Sequence, residues 1–159
     1  MNKENLEMLW DTLTPKLYGY LVNTLRDRNL ADDILQATWL KALEALPRFS
    51  DRGFGFSAWL FAIARNECRQ HWRKGDREIP FDENVHDTKE ADFKTEDKIL
   101  VDQILMRLSD SDRELIRLRF IADLSLNDIA KLFKINPITA RVRMHRALST
   151  ARSLFIKQQ

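Results

Sequence analysis

The sequence has one cysteine, Cys68, so it cannot form an intrachain disulfide and fits a reducing compartment. Glycine and proline number four each in 159 residues. So few breakers argue against the many tight turns of an all-β fold and favour helices. The three histidines, His71, His86 and His145, stand far apart, and no metal-ligand spacing appears. The longest apolar run, 58–64, is far short of the ~20 residues a membrane helix needs. The opening MNKENLEMLW has no apolar stretch of the signal-peptide kind. Net charge is only +2, so the distribution of charge is more informative than its sum. No Ser–His–Asp, paired-carboxylate or phosphate-loop pattern stands out, so neither catalysis nor a cofactor is expected. A soluble, cytoplasmic, non-enzymatic protein is the expectation.

Helical periodicity is abundant. Hydrophobic residues make up 44% of the chain, enough for a buried core. Leu6, Trp10, Leu13, Leu17, Leu21 and Leu25 recur every three or four residues. Thr14 as a cap and Pro15 as a first helical residue predict a short helix followed by a longer one. The stretch LADDILQATWLKALEALP predicts a helix with Leu35, Trp39, Ala42, Leu43 and Leu46 as its core stripe. Asp32 and Asp33 are expected in its first turn, where the helix dipole favours acids, and Pro47 marks its end. RFSDRGFGF reads as a loop, with Ser57 capping a helix over 57–74. From 76 to 98 the periodicity fades, and nine acids stand against four bases, which reads as a solvated linker.

A second helical block follows. ILVDQILMRL is amphipathic. Ser109 with Asp112, and Ser125 with Asp128, open two more helices with a capping-box pattern. The turn Lys134-Ile135-Asn136 leads to a helix with Asn136 as cap and Pro137 in its first position. A short helix, a tight turn and a longer basic helix describe a helix-turn-helix. The fold class expected is therefore all-α: two small helical domains, 1–75 and 98–159, joined by a flexible acidic linker over 76–97.

Two faces carry chemistry. At 100° per residue, Leu60, Phe61, Ile63, Ala64 and Cys68 gather on one side of the 57–74 helix. Trp59, Ala62, Asn66, Arg69 and Arg73 lie opposite, with Arg65 and Trp72 adjoining. Guanidinium for phosphate, ring faces for unstacked bases and an amide for a base edge make a single-strand site. Equally, the tryptophans fit a core and the arginines a solvated edge; composition leaves both readings open. On the last helix, Ala140, Met144, Ala147, Leu148, Ala151, Leu154 and Phe155 form the expected core side. Ile138, Thr139, Val142, His145, Arg146 and Ser149 form the other, bordered by Arg141 and Arg143. From 137 onward there are five bases and no acid. Cap, turn and charge together point to the DNA major groove. Asp32, Asp33, Gln36 and Lys41 face away from their helix's core stripe, and the residues alone name no partner for them. Cys68 reads as a small core residue and Glu67 as an ion-pair residue.

Three stretches together resemble the bacterial sigma factors of the sigma-70 superfamily, in their compact extracytoplasmic-function group. ADDILQATWLKALEALPRF resembles the family's segment that grips the β′ clamp helices of RNA polymerase. SAWLFAIARNECRQHWRK resembles the helix that melts and reads the minus-ten element. LSDSDRELIRLRFIADLSLNDIAKLFKINPITARVRMHRAL resembles the module that reads the minus-thirty-five element. The resemblance implies a promoter-specificity subunit with no metal and no cofactor. Asp32, Asp33, Gln36 and Trp39 would contact core polymerase. Trp59, Arg65, Asn66, Arg69, Trp72 and Arg73 would meet single-stranded minus-ten DNA. Ile138, Thr139, Arg141, Val142, Arg143, His145 and Arg146 would meet duplex minus-thirty-five DNA. Its partners would be core RNA polymerase, through the β′ clamp helices and β flap, promoter DNA and an anti-sigma factor.

The chain departs from the family pattern in two places. Ala37 follows Gln36 where relatives often carry Glu, which weakens the acidic character of the docking segment. Pro137-Ile138 and Val142 stand where relatives often have small residues and Ser. That departure predicts an unusual upstream preference, with thymine methyls as contacts for the two β-branched residues. The other readings are a stand-alone helix-turn-helix regulator, a nucleic-acid enzyme, and an adaptor that captures an anti-sigma factor without directing transcription. The Trp/Arg helix has no task in the first. No catalytic constellation supports the second, and Asn66 with the basic last helix weighs against the third.

Overall fold

The computed structural model describes residues 2–50, 53, 55–75 and 95–157. Every regular element among them is helical. The chain divides into two compact units, Met1–Val85 and His86–Gln159. Of the expected linker, 76–94 lies outside the described residues, and its last residues already belong to a helix that starts at Thr95.

In the first unit, α1 (Lys3–Leu25), α2 (Arg28–Ala45) and α3 (Phe56–Lys74) pack on one another. Asn2 opens α1, its Oδ1 accepting from the Asn5 N–H at 2.8 Å. The helix runs unbroken through Pro15, against the expected division there. An internal proline costs a helix ~3 kcal/mol. The buried Leu13, Leu17, Leu21 and Leu25 on one stripe offset that cost, because one continuous helix keeps all four in the core. Thr14 caps nothing: its hydroxyl is buried and has no hydrogen-bond partner.

Arg26, at φ 55°, ends α1, and Asp27 caps α2 by accepting from the Leu30 N–H at 3.1 Å. Asp32 and Asp33 therefore sit in the second turn of α2, not the first. The stripe that α2 buries is Ala31, Ile34, Thr38, Trp39 and Ala42. Leu35 and Leu46 are half-buried, and Leu43, expected in the core, is exposed. The small Ala31 and Ala42 let α2 approach its neighbours closely, which turns the stripe away from Leu43. Pro47 ends the α-helix as expected, within a single 3-10 turn, Leu46–Arg48. Helix α3 starts at Phe56 with Gly55 before it, and no side chain caps it, so the expected Ser57 cap does not form.

In the second unit, α4 (Thr95–Arg107), α5 (Asp110–Ile116), α6 (Leu126–Phe133) and α7 (Pro137–Lys157) enclose a separate core. Leu105, Leu108, Leu115, Leu118, Leu124 and Ile129 are buried in it. Both expected serine caps form: Ser109 accepts from the Asp112 N–H at 3.2 Å and Ser125 from the Asp128 N–H at 3.1 Å. The helix expected to continue from Ser109 instead widens into a π turn over Arg117–Ile121, closed by Ala122 N–H donating to the Arg117 carbonyl. That turn buries Arg117 and Leu118 and leaves Phe120 exposed.

Arg113 ties α5 to the end of α4. Its guanidinium donates to the carbonyls of Leu105 at 2.8 Å, Leu108 at 2.9 Å and Met106 at 3.3 Å. They lie at the C-terminal end of α4, where carbonyls run out of intrahelical partners; that of Leu105 also accepts from the Leu108 N–H at 3.1 Å. Arg113→Ala should destabilise this unit by about 2 kcal/mol, the scale of hydrogen bonds from a charged donor. All four tryptophans, Trp10, Trp39, Trp59 and Trp72, lie in the first unit. The unfolding midpoint should therefore fall by circular dichroism and stay in place by tryptophan fluorescence.

Candidate nucleic-acid interface

Helix α3 divides cleanly. Phe56, Ala58, Leu60, Phe61, Ala64, Glu67 and Cys68 are buried. Asn66, Arg69, Arg73 and Lys74 are exposed, and Trp59, Ile63, Arg65 and Trp72 are half-buried. No described acid pairs with Arg69 or Arg73, so both guanidiniums are available to a phosphate. The tryptophans divide between the two readings the sequence left open. Trp59 belongs to an aromatic cluster, its ring 4.8 Å from Phe49 and 5.3 Å from Phe56. Trp72 stacks on no ring among the described residues. Its Nε1 is buried without a partner. Trp72 is thus the tryptophan of α3 outside that aromatic cluster, half-buried and next to Arg69 and Arg73 on the same helix.

Helix α7 presents its other predicted set to solvent without exception: Ile138, Thr139, Arg141, Val142, Arg143, His145 and Arg146 are all exposed. The turn before it places them. Lys134 takes φ 55°, the Ile135 N–H reaches the Ala130 carbonyl at 2.9 Å, and Asn136 Oδ1 accepts from the Ile138 N–H at 2.8 Å. Only Ala140, Met144 and Ala147 are fully inside; Ala151 and Leu154 are half-buried. Leu148 and Phe155, expected in the core, are about 40% exposed. The supporting helices are short, so the far half of α7 outruns what they can cover.

Helix α2 carries a third surface. Asp32, Asp33 and Gln36 are exposed, and neither carboxylate pairs with another described residue. Trp39 departs from the expected contact set. It is 2% exposed, with its ring 4.5 Å from that of Trp10. It braces the helix from behind and cannot touch a docked surface. The sequence reading missed Leu40 and Leu43, which are 61% and 41% exposed. They share the outer face with Asp33 and Gln36 at 100° per residue. A wheel drawn around Gln36 finds them, because Leu40 lies four residues on and Leu43 seven. A solvated face has little use for two leucines there; an interface does.

The ion pair expected for Glu67 forms with Lys41 of α2. Glu67 is 8% exposed, and it directly follows Asn66. The pair thus joins the helix bearing the acidic-apolar face to the helix bearing the Asn/Arg face. Among the described residues no group of three or more His, Cys, Asp or Glu side chains is placed to hold a metal ion. None of the described helices is long and apolar enough to cross a membrane.

Comparison with known proteins places these surfaces in context. Residues 9–78 match the family described as Sigma-70 region 2, and residues 98–150 the one described as Sigma-70, region 4. The chain is similar to the ECF RNA polymerase sigma factor ShbA of Streptomyces griseus, 30% identical over 138 residues, covering 80% of this chain and 72% of that one. It is also similar to the RNA polymerase sigma factor CarQ of Myxococcus xanthus, 29% identical over 158 residues, covering 96% and 90%. Against the ECF RNA polymerase sigma factor BldN of Streptomyces coelicolor it is 27% identical and spans only 57% of that relative's length. Among solved structures it resembles the sigma factor RpoE in its complex with the anti-sigma factor NepR from Bartonella quintana. That likeness has a TM-score of 0.76 at 23% identity, covers 98% and 99% of the two chains, and concerns the fold.

The ion pair generates a prediction independent of any partner. Its lysine end is half exposed and screened by water, so Lys41→Ala should destabilise the first unit by about 1 kcal/mol, through the buried Glu67 carboxylate that it leaves uncompensated. Adding Glu67→Gln should recover part of that loss in a double-mutant cycle read by tryptophan fluorescence; equal and additive losses would show that the pair is not coupled.

Proposed function

The chain belongs to the extracytoplasmic-function group of the sigma-70 family of RNA polymerase sigma factors, and from that premise we propose how its three surfaces divide the work of a promoter-specificity subunit. The observation that carries the proposal is α3, one helix that packs its own domain on one side and exposes Asn66, Arg69 and Arg73 beside Trp72 on the other. Such a surface suits melted DNA: the arginines track phosphates, Trp72 stacks on an unpaired base, and Asn66 reads a base edge. Trp59, held in its aromatic cluster, shapes the rim of the site, and the half-buried Arg65 supports it. Duplex DNA would have no base face for Trp72 to meet.

In this reading residues 1–75 dock on core polymerase and capture the minus-ten strand, 76–97 link, and 98–159 bind the minus-thirty-five duplex. Asp32, Asp33 and Gln36, with Leu40 and Leu43 between them, form the docking face for the β′ clamp helices. An apolar pair ringed by acids buries area and adds charge specificity. The second unit would engage the β flap while α7 lies in the major groove. Polymerase supplies the chemistry, the protein itself catalyses nothing, and it works in the cytoplasm where polymerase is. An anti-sigma factor is the proposed regulatory partner, as NepR is for the RpoE it accompanies. A stand-alone helix-turn-helix regulator would need neither the α2 face nor the α3 face.

Binding to bacterial core polymerase tests the docking face. Wild type should bind tightly and Asp33→Arg should lose most of that affinity; equal binding by both would place the docking face elsewhere. In the assembled holoenzyme, Trp72→Ala should weaken binding to a pre-unwound minus-ten fragment by roughly 5- to 150-fold, the worth of one stacked base. Unchanged affinity for that fragment would return Trp72 to a purely structural role.

A further inference from the structure

We propose that Ile138 and Val142 make the upstream specificity of this protein depend on thymine methyl groups. The inference rests on the reading of α7 as the duplex-binding helix and adds what α7 recognises there. Ile138 is 67% exposed and Val142 43%. At 100° per residue they lie within about 40° of each other and nearly opposite Ala140 and Ala147, which are fully buried. They therefore occupy the middle of the outward face. Arg141 flanks them on one side, Arg143 and Arg146 on the other. No acid occurs anywhere in α7. A polyanion is the partner this charge distribution fits, and the arginines at the margins are placed for its two backbones.

The apolar pair can contribute little to the phosphate contacts. An isoleucine or valine in the centre of a DNA-binding face meets the groove floor. The only apolar group on the major-groove floor is the C5-methyl of thymine. The Asn136 cap fixes the first turn, so Ile138 is held at the tip of the helix, where such helices contact base edges. Four residues of helix span about 6 Å, close to two base steps at ~3.4 Å each. The two side chains thus reach thymines within three consecutive base pairs. The chemistry selects thymine against cytosine at those positions with no hydrogen bond to the discriminating group.

The test uses the full chain assembled with bacterial core polymerase. A pool of promoters randomised upstream is selected, and the recovered duplex is then remade with deoxyuridine replacing one thymine at a time, which removes only the methyl. Two thymines within three base pairs should each weaken wild-type binding about three- to fivefold when replaced, the worth of one buried methyl. The Ile138→Ala and Val142→Ala proteins should each become insensitive to one of these replacements while keeping the salt dependence of the wild type. A recovered element whose uracil forms all bind like the thymine form would overturn the inference and leave α7 a DNA reader whose apolar pair faces a protein. A pool showing no upstream enrichment would overturn both the inference and the assignment of α7 to duplex DNA.

Discussion

Trp39 is the residue on which the first unit depends. Its ring is almost wholly buried on α2, 4.5 Å from Trp10 of α1 and 6.3 Å from Phe56 of α3. The chain of rings continues from Phe56 to Trp59 and Phe49. Aromatic pairs bury large areas and add geometry-dependent attraction beyond burial. With its three helices fixed around one seam, the unit can expose α2 and α3 as two working faces of one rigid body. The Lys41–Glu67 pair adds a polar tie between the same two helices. Close-packed interiors transmit displacement instead of absorbing it. A displacement of α2 is therefore passed on to α3 with little slack; in the proposed reading, polymerase docking on the one would set the position of the strand-binding face on the other.

The second unit reaches the same end by different means. The helices that support α7 are short, and backbone capping does much of what aromatic packing does in the first. Serines open α5 and α6, an arginine closes α4, and a left-handed lysine with an asparagine cap turns α6 into α7. Small residues settle the orientation of α7. Ala140 and Ala147 let its backbone come close to α5 and α6, so that Met144 is the one large side chain of α7 that is fully buried, among the described residues. The result is a helix whose inner surface is narrow and whose outer surface is wide, basic and partly apolar. A structural helix would bury Leu148 and Phe155; here they are exposed.

In the proposed reading a division of labour follows from the chemistry of each face. Melted DNA offers ring faces and flexible phosphates, which the indole, amide and guanidiniums of α3 suit. Duplex DNA offers a groove floor and two fixed backbones, which the short side chains in the middle of α7 and the arginines at its edges suit. Protein offers apolar area with a charged rim, which the two leucines of α2 among carboxylates suit. Each surface contains groups that would be wasted on either of the other two partners, which is why the three faces can be told apart in a chain of nearly zero net charge.

Much of this was legible in the residues. Helical class, the two-block organisation, the serine caps of the second unit, the helix-turn-helix and the outward set of α7 follow from short-range rules: periodicity, capping and the charge on one helix face. What those rules could not decide is which way a helix with apolar residues on several sides rolls against its neighbours. That choice put Leu43 outside beside Leu40, while Trp39 stayed in the core stripe that the periodicity gave it. It engaged Trp59 in a cluster and left the Trp72 ring stacked on no other described ring. It also carried α1 straight through Pro15, where local propensity called for a break. Sequence by itself determined the elements and the chemistry each one carries. Tertiary packing decided which of those side chains meet solvent, because burial depends on the combined area that three helices can hide at once, and no single helix contains that information.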